Sequence, residues 1–101
     1  MNNFECKKVE NCFGGMVAFE YRLSFKIGEP FLDCLRPVAQ VQCRHDFPRP
    51  FFQAVWPDGL KVKGVLGDVV VKAIYPPANT DGSKVMFENL LGQCIEQING
   101  D

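Results

Sequence analysis

Hydrophobic and polar residues alternate most regularly between Met16 and Lys26, where Val17, Phe19, Tyr21, Leu23 and Phe25 interleave with Ala18, Glu20, Arg22, Ser24 and Lys26. A period of two is that of an extended strand with one face on a core and the other in water. Phe4 to Val9 alternates more weakly and is expected to pair with it in an N-terminal hairpin, with Asn11 to Gly15 as the connection. Leu60 to Leu66 and Val69 to Tyr75 flank Gly67-Asp68, a two-residue connection with glycine first, as a type II′ hairpin turn demands. In that register Lys63 lies opposite Lys72, and Lys61 sits two residues along on the same face. The opposite face holds Leu60, Val62, Leu66, Val69, Val71, Ala73 and Tyr75, which supply core.

The stretch from Gly28 to Pro50 fits two periods. Phe31, Leu35, Val38 and Ala39 suit a short helix, whereas Ala39, Val41 and Cys43 alternate with Gln40, Gln42 and Arg44 as in a strand. A turn up to Pro37 followed by a strand from Val38 to Arg44 respects both Pro30 and Pro37, since neither proline then interrupts a ladder. Phe51 to Val55 forms a further short strand, closed by Trp56-Pro57-Asp58-Gly59 in turn positions. Beyond Pro76-Pro77, Ser83 is placed to cap a helix running to about Ile98. Its Phe87, Leu90, Leu91, Cys94, Ile95 and Ile98 recur at three- and four-residue spacing, and Asn99-Gly100 supplies the stop.

These elements make one α+β domain over residues 1–101: an antiparallel sheet of five or six strands, or a small barrel, covered by a C-terminal amphipathic helix. The composition agrees, with 47% hydrophobic and 23% charged residues in 101, enough to bury about two thirds of the extended-chain surface. Eleven basic against twelve acidic residues leave a net charge of −1, which disfavours a nucleic-acid partner. The longest uncharged apolar stretch, Cys12 to Phe19, is far short of the roughly 20 residues that cross a bilayer, so no membrane association is expected. Glu5, Lys7, Lys8 and Glu10 stand where a secretory signal would need apolar residues. Five cysteines at irregular spacing suit reduced thiols. Both observations point to the cytoplasm.

Three groups of residues could carry chemistry. Lys61, Lys63 and Lys72, with Arg44 and Arg49, gather positive charge that needs either free solvation or an anion such as a nucleotide. Phe47, Phe51, Phe52 and Trp56 combine with these arginines in the pattern of a partner surface, although in a small domain such rings also fill the core. Cys34, Cys43 and His45 are soft ligands spaced for a metal only if a further cysteine joins them, and buried thiols are the plainer account. No phosphate loop, HExxH, GxSxG or CxxC motif occurs. No cofactor is expected, and the pattern favours a non-catalytic module acting through protein contacts. The broad apolar stripe of the last helix, with Val85 and Met86 beside Phe87, suggests that the partner includes a second copy.

Overall fold

The computed structural model describes residues 4–9, 17–44 and 48–99. Its elements are β1 (Glu5–Val9), β2 (Val17–Arg22), α1 (Glu29–Leu35), β3 (Gln40–Arg44), β4 (Phe51–Val55), β5 (Lys61–Val65), β6 (Val70–Tyr75) and α2 (Thr80–Asn99), the last entered through a 3₁₀ turn at Pro77–Asn79. The strands form one antiparallel sheet in the order β1-β2-β6-β5-β4-β3. This is the expected α+β architecture in its open form. The barrel alternative is excluded, because β1 and β3 end as separate edges instead of meeting. No helix among the described residues is long and apolar enough to cross a membrane.

Alternation along the strands divides the sheet into two faces. Tyr21, Val71, Gly64 and Phe52 form one row, and Phe19, Ala73, Val62 and Ala54 the next. Both rows lie under the helices. Phe31, Leu32 and Leu35 of α1 and Phe87, Leu91, Cys94 and Ile95 of α2 complete one buried cluster with them. Phe87 stands edge-on to Tyr21 at 5.4 Å and to Trp56 at 5.8 Å between ring centroids, a geometry that adds to plain area burial. Gly64 is required by this packing. A Cβ there would come within 2.7 Å of the Phe52 ring and 3.0 Å of Ile27, so the missing side chain is what lets both pack closely over this point of the sheet.

Local expectations hold with shifted boundaries. β2 ends at Arg22, because Leu23 and Ile27 donate their N–H groups to Val69 and Asp68 and the segment folds over the β5–β6 turn. Residues 28–36 hold a two-turn helix where a plain turn was expected. Pro30 sits in its first turn, where a missing N–H costs nothing, and Pro37 follows its end. Burial of Phe31, Leu32 and Leu35 then favours the helix. The β5–β6 turn is not type II′. Asp68 N–H donates to the Val65 carbonyl at 3.0 Å, which puts Gly67 third, after Leu66, at φ +92°. The register nevertheless keeps Lys63 opposite Lys72. α2 begins at Thr80, so Ser83 lies inside the helix and donates its hydroxyl to Asp58 in the β4–β5 turn instead of capping. The Asn11 to Gly15 connection lies outside the described residues.

Cysteine chemistry is corrected outright: Cys34 of α1 and Cys94 of α2 form a disulfide. Cys94 is buried on the inward stripe of α2 and Cys34 is half-buried beside that of α1, and the packing brings them side by side. The expectation of reduced thiols therefore fails at these two positions, and with it the cysteine argument for a reducing compartment. Cys6 and Cys43 are free thiols.

Candidate functional site

The face turned away from the helices carries the charge. Register places Lys7, Glu20, Lys72, Lys63, Gln53 and Gln42 side by side in one row across all six strands. In the neighbouring row Val9, Ala18, Ile74, Lys61, Val55 and Gln40 follow one another, and on the other flank come Glu5, Arg22 and Val70, then Val65, Phe51 and Arg44. Lys61, Lys63 and Lys72 thus share the open face as expected, with Arg44 at its edge. Arg49 lies exposed in the bend before β4, and no strand pairing brings it to them.

Lys63 and Lys72 flank a shallow depression of about 290 Å³ whose other walls are Phe51, Gly64, Val65, Asp68 and Val70. Adjacent ammonium groups repel, and two carboxylates temper them. Glu20 stands directly beside Lys72 on β2, and Asp68 closes the depression at the turn. Sequence alone could not supply Glu20, because the placement of β2 against β6 is a crossover.

Of the proposed partner-surface rings, Phe52 and Trp56 are corrected to core, at 0% and 4% exposure. Both point under the helices, where burying a large ring is most favourable. Phe51, one residue out of phase with Phe52, is half-buried on the open face. Phe47 and His45 lie outside the described residues. The metal set of Cys34, Cys43 and His45 loses Cys34, whose sulfur is bonded to Cys94 and has no thiolate to offer. Among the described residues no group of three or more His, Cys, Asp or Glu side chains is gathered.

Beneath α2 lies a polar chain absent from the sequence-based expectations. The Tyr21 and Tyr75 hydroxyls are 2.6 Å apart, and Tyr21 donates to Glu88 Oε2 at 2.9 Å. A carboxylate only accepts, which fixes the order: Tyr75 donates to Tyr21, and Tyr21 to Glu88. Lys84 Nζ donates to the same oxygen at 2.7 Å and lies 4.9 Å from the centre of the Phe19 ring. Burial first, then the Tyr75 hydroxyl and Glu88 carboxylate, push Tyr21 far above the ordinary phenol value. Burial does the same to Tyr75. The hydrogen bond to Glu88 raises Lys84. Cys6 Sγ approaches Glu88 at 3.9 Å, and burial raises its thiol, which makes it a poorer nucleophile than a free cysteine. The sequence signal was the Lys84/Glu88 pair at helical spacing beside two inward tyrosines, each needing a partner once buried. Chemically the chain stores protons firmly and ties α2 to the sheet.

No protein-family model, curated protein or solved structure matches this chain.

Proposed function

We propose that this domain is a non-catalytic module that engages a protein partner through the open face of its sheet. The observation supporting this reading is the one-sided cover. Both helices pack on the same face, while the other carries half-buried Val55 and Ile74 on one side of the charged row and Phe51, Val65 and Val70 on the other. Apolar strips interleaved with a polar row are what a partner can cover with both area and specificity. The test is position-specific photocrosslinking in the cell of origin. A photoreactive residue replacing Val70 should crosslink to a discrete protein, and one replacing Val85, 61% exposed on the outside of α2, should not. Crosslinks from Val85 alone, or from neither position, would refute the reading.

A second reading, that the open face binds an anion or nucleotide, draws on the register. Lys63 and Lys72 are paired directly and share an apolar-floored depression. Millimolar inorganic phosphate or nucleotide should then raise the Tm of the native protein and not that of Lys63→Glu. Identical melting of both, with and without ligand, would remove this reading.

A further inference from the structure

An open sheet has two edges, and here they are built differently. β1 reads Glu5-Cys6-Lys7-Lys8-Val9, with charge on both faces. Lysines along an edge are a common guard against further strand pairing, because an approaching strand must displace or oppose them. β3 reads Gln40-Val41-Gln42-Cys43-Arg44, five residues with neither proline nor lysine and a single charge at one end. It pairs with β4 on one side, and among the described residues no strand lies on the other.

We infer that the β3 edge is the site at which a second copy of this chain adds, antiparallel, across a two-fold axis at Gln42. This goes beyond the open-face reading, since it concerns the edge and commits to the partner. Self-complementarity selects the second copy. Pairing about Gln42 sets amide against amide at the centre. On the helix side half-buried Val41 then meets the partner's Cys43, and on the open side Gln40 meets the partner's Arg44. No like charges meet. The same operation on β1 would set Lys7 against its own copy and Lys8 against Cys6, so the charge pattern excludes that edge from self-pairing. Between β1 of one chain and β3 of another the contact would be head-to-tail and would grow without closing. Five paired residues bury less than the roughly 800 Å² per partner of a standard interface, which sets a weak, concentration-dependent dimer.

Sedimentation of the native chain from about 1 μM to 1 mM, a range spanning weak affinities, should show a shift from monomer to dimer and no further growth. Register is tested by crosslinking in a background in which Cys6, Cys12 and Cys43 are replaced by serine. Gln42→Cys brings two thiols together across the axis, because facing residues of an antiparallel pair lie at about 4.5–5.5 Å between Cα atoms, within disulfide reach. It should yield a covalent dimer under mild oxidation at least tenfold faster than Lys7→Cys, an equally exposed change on the other edge. A monomer at every concentration, equal crosslinking from both edges, or open-ended polymers would each overturn the inference. The Val70 photocrosslink reports on the open face separately, so either proposal can fail alone.

Discussion

The two faces of the sheet share one backbone and differ in what fills them. Under the helices, Tyr21, Phe52, Val62, Val71, Ala73 and Tyr75 are fully buried and interlock with α1 and α2. On the open side the same strands present Lys61, Lys63, Lys72, Gln53 and Glu20 between half-buried aliphatic residues. Stability therefore resides on the covered face, and the open face is free to vary in charge at little cost to folding. The lesson is that a one-residue step along a strand separates the covered face from the open one, as fully buried Phe52 and half-buried Phe51 demonstrate.

The largest effect that can break this contrast is at the Cys34–Cys94 bridge, which joins the two helices of the covered face across a sequence separation of 60. Replacing both cysteines with alanine should cost about 2–4 kcal/mol, chiefly through the freer unfolded chain, measured by denaturant titration. A loss under about 1 kcal/mol would show that the bridge is not what fixes α1 on α2. Alkylating thiols at harvest and weighing the protein tells whether the bridge is made in the cell, and full alkylation of Cys34 and Cys94 would restore the reducing-compartment expectation.

The polar chain beneath α2 gives an intermediate effect with a pH signature. Tyr21 and Tyr75 hold their protons more tightly when folded. Their contribution is therefore fully present below the unfolded phenol value of about 10 and is lost as pH rises above it, because only the unfolded chain then releases the protons. Each phenol steepens the alkaline decline by up to about 1.4 kcal/mol per pH unit. Tyr75→Phe should cost about 0.5–1.5 kcal/mol at pH 7 and make the decline above pH 10 shallower. Parallel curves for the two proteins would show that the buried phenols do not control alkaline unfolding.

The smallest effect belongs to the open face. Lys63→Glu replaces a like-charge pair with an attractive one beside Lys72, extending the alternation begun by Glu20. Thermal denaturation should show stability unchanged or raised by roughly 0.2–1 kcal/mol. Strong destabilisation would mean that the open face is structural after all, and the contrast between faces would collapse.

What the sequence determined by itself was the periodicity of most elements. Period-two alternation marked the strands, three- and four-residue spacing marked α2, and the alternation on either side of the short connection after Val65 aligned Lys63 with Lys72, although the turn itself centres on Leu66-Gly67 and not on Gly67-Asp68. The tertiary structure decided what depends on contacts between segments far apart in the chain. It seated β2 beside β6, which put Glu20 next to Lys72 and Tyr21 against Tyr75. It turned residues 29–35 into a helix, because burying Phe31, Leu32 and Leu35 against the sheet outweighs the ambiguous local pattern. And it brought Cys34 to Cys94, a pairing that spacing along the chain cannot reveal, since a disulfide is set by the distance between two helices and not by the number of residues between two sulfurs.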